Sequence, residues 1–175
     1  TSALVGQNIG AGKIERAERI VRMAVSTGFI ILTLMGILMF LFAEQLAAIF
    51  IPGELETIRM SAQFIRIMAL TFGFIGIHHV LNGAFIGSGN TFTSMALSII
   101  SLWLLRFPLS YFLSRHTGLG EVGIWIAFPV TNVLTALITA MWFSRGTWKN
   151  RRITEEIKLI SETTAESIIE EGITP

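Results

Sequence analysis

Charged side chains are missing from three long stretches of the chain. None falls between Arg22 and Glu44, between Arg66 and Arg106, or between Glu121 and Arg145. About 20 apolar residues cross the hydrocarbon core of a bilayer, so the outer two stretches each hold one crossing; the middle one, roughly twice that length, holds two joined by a turn. The turn is the run Gly-Ser-Gly-Asn-Thr at 87–91, a cluster of turn formers inside an apolar sequence. The pattern predicts four membrane helices over 18–50, 54–86, 93–114 and 122–144. Pro52 and Gly53 end the first, and Glu54 and Glu56 suit the opening turn of the second. The expected fold class is an all-α polytopic membrane protein, with residues 1–150 holding the membrane part and 151–175 forming a polar tail. Within that tail, ITEEIKLISETTAESIIEE either forms a short, weakly amphipathic acidic helix or stays disordered.

Composition agrees with the spans. Hydrophobic residues make up 52% of the 175-residue chain and charged residues 14%, against about 25% charged in a soluble domain. The basic residues add an orientation. Lys13, Arg16, Arg19, Arg22, Arg145, Lys149, Arg151 and Arg152 flank one side of the predicted spans, and only Arg59 and Arg115 flank the other. Loops rich in Lys and Arg face the cytoplasm, so both ends of this multi-pass segment are expected there, in the cell membrane. Anionic lipid of the inner leaflet is the expected neighbour of these cations. The formal net charge of +1 gives no basic surface of the kind that nucleic acid requires, and no nucleic-acid partner is expected.

The stretch GQNIGAGK at 6–13 approaches the phosphate-binding loop G-x-x-x-x-G-K-[ST] and fails it. Gly6 and Gly12 stand one residue too far apart, Ile14 occupies the place of the magnesium-binding hydroxyl, and no hydrophobic strand precedes them. These glycines are expected to form a tight cytoplasmic turn instead. The chain contains neither cysteine nor aspartate, and His78, His79 and His116 come with no zinc-ligand spacing and no Ser/His/Asp set. No catalysis, metal site or cofactor is expected.

Polar residues inside the spans fall on faces. At about 100° per residue, Gly76, Gly83 and Gly87 share a stripe of the second helix, with Thr71, His78 and Asn82 nearly opposite. Small residues let membrane helices approach closely, so the glycine side is expected to pack against a neighbour. The polar side either hydrogen-bonds across helices or lines a cavity. In the last helix Phe128, Asn132, Thr135 and Thr139 share a narrow sector. The candidates for a substrate cavity are therefore Thr71, His78, Asn82, Asn132 and Thr135. Pro129 frees the carbonyl of Trp125, which predicts a bend. Arg106 is the one cation deep in a span and needs a partner; with Pro108 two residues on, a structural anchor is expected ahead of a substrate contact. Arg66, near a helix start, is expected to snorkel. Ser94, Ser98 and Ser101 read as a close-packing stripe, and Met35, Met39 and Met68 suit either an adaptable pocket or lipid contact.

Four segments carry a family resemblance: VGQNIGAGKIERAER at 5–19, GAFIGSGNT at 83–91, RFPLSYFLS at 106–114 and GLGEVGIWIAFPVTNVLTALI at 118–138. In order and spacing they resemble the multidrug and toxic compound extrusion (MATE) transporters. The first is similar to the cytoplasmic segment between the second and third helices of each repeat in that family. The second is similar to the turn between its fourth and fifth helices, and the last two to its sixth-helix region. The resemblance covers about 1–150. It implies the end of one helix, a cytoplasmic loop and the last four helices of the second of two six-helix lobes. It also makes Gly6, Gln7, Gly10, Arg106, Pro108 and Pro129 structural or gating candidates.

The activity implied is ion-gradient-driven export of amphipathic organic cations by alternating access. The implied partners are a small-molecule substrate, membrane lipid and the first lobe of the same transporter. Some members carry a cation-binding carboxylate on the helix matching 54–86, where this chain has no acid beyond the opening turn. Glu44 lies close to the end of its helix, and the adjacent His78 and His79 are expected to point to different faces. The coupling ion, a proton or sodium, is therefore expected in the first lobe. A lipid-linked sugar flippase of the same wider superfamily and a four-helix membrane scaffold without transport activity are the alternatives. The chain begins at Thr1 and is expected to be a piece of a longer protein.

Overall fold

The computed structural model describes residues 1–149 apart from Pro52. The polar tail, with both of its expected forms, lies outside the described residues. Among the described residues all regular structure is helical: α1 (Ser2–Gly10), α2 (Ile14–Leu41), α3 (Ala43–Phe50), α4 (Leu55–Ala69), α5 (Phe72–Gly87), α6 (Thr91–Ile99), a π-helical segment (Ile100–Arg106), α7 (Phe107–His116), α8 (Glu121–Ser144) and a 3₁₀ turn (Thr147–Lys149). Three helices are long and apolar enough to cross a membrane: α2, the run from Thr91 to His116, and α8. The pair α4 and α5, bent by 53° at its break, is long and apolar enough to make a fourth if it counts as one span. Among the described residues the fold is thus that of an all-α polytopic membrane protein with three to four candidate spans.

Three expectations are corrected in detail. The helix expected over 18–50 is two: Phe42 leaves helical geometry at φ −102° and ψ 21°, and α3 starts afresh. The helix expected over 54–86 breaks at Leu70 and Thr71. Gly6 and Gly10 do not form the expected turn, because both lie within α1; the turn is made by Ala11 to Lys13, where Gly12 takes φ +71°. Pro129 sits inside α8, which runs unbroken from Glu121 to Ser144.

The centre of the bundle is α5, which packs against α1, α2, α6 and α8. Its glycine side meets α2 so closely that a Cβ on Gly76 would stand 2.8 Å from the carbonyl oxygen of Gly28. Backbones this near each other tolerate only hydrogen at Gly76, while a Cβ on Gly28 would meet the Val80 side chain at 3.2 Å. Further along the same side, a Cβ on Gly6 of α1 would stand 2.9 Å from the Gly87 carbonyl oxygen. The expected glycine stripe is therefore a packing face.

The start of α2 and the end of α8 lie at one end of the bundle, where Lys149 meets Glu18. After α8 the chain turns at Gly146, φ +73°, and drives Trp148 into a cluster with Val5, Ile9, Ala17, Val21 and Phe85. The indole stacks on Phe143 at 4.7 Å and donates to its carbonyl at 3.2 Å. Lys149 Nζ, next in sequence, reaches Glu18 Oε2 on α2 at 3.0 Å. At the other end of α2, Arg66 is tied to Glu44 Oε1 at 3.0 Å. Arg66 thus stands in the last turn of α4 with an acidic partner, where a snorkelling residue near a helix start was expected. The outward faces of α2 and α6–α7 carry exposed Ile30, Ile31, Leu34, Leu38, Trp103 and Leu104, as lipid contact requires.

The seam between α2 and α5 gives a first prediction. Gly76→Leu forces backbones apart and should destabilise the protein by about 1–3 kcal/mol or more, the range for overpacking. Gly10→Ala, with nothing within 4 Å of the added Cβ, should not. Thermal melts of the two variants in detergent, with the yield of monodisperse protein, measure the difference.

Candidate functional site

The break between α4 and α5, the π-helical segment and the middle of α8 enclose a cavity of about 390 Å³ lined by Met68, Ile75, His78, His79, Ser101, Arg106, Phe128, Asn132 and Thr135. Local sequence builds each wall. Pro108 has no amide to offer the turn before it. Just ahead of it the ladder widens, so that the Phe107 N–H reaches the Leu102 carbonyl, five residues back. Such π-bulges redirect side chains and occur often at functional sites. Here the segment ends on Arg106.

A charge inside a span must be solvated by protein. Arg106 Nη2 donates to Asn132 Oδ1 at 3.0 Å and Nε to Thr131 Oγ1 at 3.3 Å. Its guanidinium lies over the Phe128 ring, 4.7 Å from the centroid, which adds a cation–π contact. With its oxygen taken, Asn132 turns its Nδ2 to Thr71 Oγ1 at 3.4 Å. Thr71 in turn donates to the Met68 carbonyl at 3.2 Å, which also accepts the Thr71 N–H at 3.1 Å where α4 stops. One polar chain thus runs from the π-helical segment through α8 to the broken span.

A second chain holds His78. Its Nδ1 lies 3.0 Å from Thr139 Oγ1, and that hydroxyl gives its one proton to the Thr135 carbonyl at 2.7 Å. Thr139 can then only accept, which assigns the His78 proton to Nδ1 and leaves Nε2 an acceptor. Ser101 and Thr135 exchange a hydroxyl bond at 2.8 Å across the cavity wall. No carboxylate lines the cavity.

Of the residues singled out by sequence, His78, Asn132, Thr135 and Arg106 come together here, and Thr71 supports them from behind. Asn82 does not line the cavity. Its Oδ1 accepts from Ser94 Oγ at 2.6 Å, so it is a cross-helix tie between α5 and α6. His78 and His79 do not part to different faces: their rings lie 5.6 Å apart and both line the cavity. Ser101 leaves the expected packing stripe to join the wall. Gln7 and Gly10 are exposed on α1, and Pro108 faces an apolar groove with Leu105 and Phe112. The sequence did hold a signal for Ser101, because a serine five residues before an arginine in an apolar stretch is a polar group in want of a partner.

A larger cavity of about 520 Å³ lies beside the first, between α2, α3, α4 and α8. Met39, Leu46, Phe50, Met60, Phe64 and Trp125 are among its walls. Phe64 stands edge-on to both Trp125, at 5.9 Å, and Phe128 of the polar cavity, at 6.4 Å. Among the described residues no cluster of His, Asp or Glu suits a metal ion.

The polar chain predicts how Asn132 responds to substitution. Asn132→Ala leaves Arg106 Nη2 without its acceptor, and the folded protein should lose about 1.5–3 kcal/mol, the range for a hydrogen bond to a charged group. Asn132→Asp keeps the acceptor and should retain most of that stability. Thermal unfolding in detergent micelles compares the two; equal losses would show that the amide donor to Thr71 matters more than the oxygen.

A model of the MatE family matches residues 1–112. The "Probable multidrug resistance protein NorM" of Thermotoga maritima is 29% identical over 87% of this chain and 32% of its own length. That of Rhodopseudomonas palustris is 30% identical over 82% and 31%, and "Probable multidrug resistance protein YoeA" of Bacillus subtilis is 24% identical over 90% and 34%. The solved structure "MATE transporter ClbM in complex with Rb+" superposes with a TM-score of 0.71 at 20% identity, covering 87% of this chain and 33% of the other. The chain spans about one third of the length of these relatives. The family match covers more than half of the chain, and it falls on the helices that carry the glycine seam and the bent span: this chain belongs to the MatE family.

Proposed function

We propose that this chain is part of the second lobe of a secondary multidrug exporter that moves amphipathic organic cations outward by alternating access, driven by a proton or sodium gradient. The observation that carries the reading is the convergence of a broken span and a π-helical segment on one cavity inside the membrane. Interrupted helices are where secondary transporters bind their cargo and ions, because backbone groups freed there need partners. The relatives' names, which speak of multidrug resistance, support the same reading. A scaffold without transport has no use for a polar cavity at this depth. A flippase for lipid-linked sugars must neutralise a pyrophosphate, and Arg106 is the one guanidinium that lines the cavity.

In this reading the coupling ion and the positive charge of the cargo find their acidic partners in the first lobe. Within this chain Glu44 is engaged with Arg66, and the cavity wall has no acid. Both ends of the segment face the cytoplasm, in keeping with the basic residues gathered at one end of the bundle.

Two experiments on the complete transporter test this. Cells that express it should keep ethidium out while an ion gradient is present and lose that ability when the gradient is collapsed. Glu44→Gln should preserve the ion dependence; efflux that survives while its coupling disappears would put the ion site in this lobe. For topology, single cysteines at Gly10 and Leu119 should label from the cytoplasm and from outside respectively, and labelling of both from one side would overturn the four-span orientation.

A further inference from the structure

We infer that the 390 Å³ cavity is a site for the oxyanion group of an organic solute, a carboxylate or sulfonate on a compact apolar body. This rests on the chain being part of an exporter and adds a class of cargo to it. The argument begins with unused donors. Of the five N–H groups of Arg106, Nε is given to Thr131 and one Nη2 proton to Asn132. The Phe128 ring covers a face of the guanidinium, which leaves its in-plane edge for anything that enters the cavity. No side-chain nitrogen or oxygen buried among the described residues lacks a partner, so Nη1, which makes no hydrogen bond to any of them, is not buried in the protein interior. Arginine's fork matches a two-oxygen anion in geometry as well as in charge.

No carboxylate in the wall competes for that edge. The oxygens of Asn132 and Thr131 already serve Arg106, and the Thr135 carbonyl accepts from Thr139. No Asp or Glu lines the cavity, and the sequence carries none between Arg66 and Arg106 or between Glu121 and Arg145. The Ser101 and Thr135 pair shares one hydrogen bond between two hydroxyls, so one O–H proton is left to donate. His78 and His79 complete the polar part of the wall, and Met68, Ile75 and the Phe128 ring suit the hydrocarbon body that carries the anion. The volume falls within the range of about 300–1,000 Å³ usual for small-molecule sites.

The test uses the complete transporter in nanodiscs and two probes of one shape, 2-naphthoate and its neutral amide, 2-naphthamide. Binding measured by calorimetry should favour the carboxylate by at least about tenfold, as one charge-assisted hydrogen-bonding contact provides. Ile75→Asp, which places a competing carboxylate in the wall and leaves Arg106 untouched, should erase the preference. Arg106→Lys should keep part of it. Should Ile75→Asp fold poorly, Met68→Cys in a background without other reactive thiols serves instead: naphthoate, and not naphthamide, should protect that thiol from maleimide. Equal affinity for the two probes, an unaltered preference in Ile75→Asp, or a preference without protection at Met68→Cys would overturn the inference. Ethidium efflux that persists alongside any of these leaves the exporter reading standing, so the two failures are told apart.

Discussion

A guanidinium inside a membrane helix has no water to solvate it, and the arrangement of the helices around Arg106 follows from that constraint. The side chain needs acceptors, and they come from α8, where Thr131 and Asn132 stand one after the other on the helix. That fixes the rotation of α8. Phe128, one turn earlier, then falls under the guanidinium, and Thr135, about one turn later, meets Ser101 on the π-helical segment. Asn132 has a second valence to satisfy, and its amide reaches Thr71 at the break between α4 and α5. A single charge thereby sets the register of three spans.

The glycine seam provides the complementary requirement. Polar ties of this kind work only if the helices that carry them cannot drift. The contact of Gly28 with Gly76 brings α2 and α5 to backbone distance, and the α1 contact at Gly6 and Gly87 holds the other end. The Trp148 plug and the link from Lys149 to Glu18 close the same end from α8. Packing of small residues and a few hydrogen bonds drive helix association in lipid, where burial of apolar surface gains little. The wide exposure of Leu, Ile and Phe on the outer faces is then the normal state of such a bundle.

Much of this was legible in the sequence, for physical reasons that can be named. Spans show as charge-free stretches because the cost of a charge in hydrocarbon is large and local. The need of Arg106 for a partner was visible for the same reason, and so was the glycine face. Less could be read where the outcome depends on a neighbour. Asn82 and Asn132 look alike in sequence, yet one meets Ser94 and the other meets Arg106. The break at Leu70 and Thr71 carries no proline. It coincides with Gly36 of α2 facing the Ala69 carbonyl, where a Cβ would stand 2.5 Å away, a contact between distant segments that no local rule anticipates. The pairing of His78 with His79 failed for a different reason: neighbours on a helix are about 100° apart, and a cavity that takes in two elements and a bend is wider than that.

The sign of the cavity bears on the proposal that this chain is part of an exporter. Two unit charges about 4 Å apart repel by about 4 kcal/mol at the effective dielectric of a protein site, roughly a thousandfold in affinity. A sodium ion, a proton carrier or an organic cation beside Arg106 would meet that repulsion with no carboxylate in the wall to offset it. An anionic group there would gain by the same amount before desolvation. If both cargo and ion were cations, a lobe charged in this way could take part in transport only as the wall that turns them toward the opposite lobe. A lobe that itself receives the anionic end of an amphipathic molecule has a direct part to play, and Arg106 then serves twice: its Nε and one Nη2 hydrogen hold the bundle, and the rest of its edge meets the cargo.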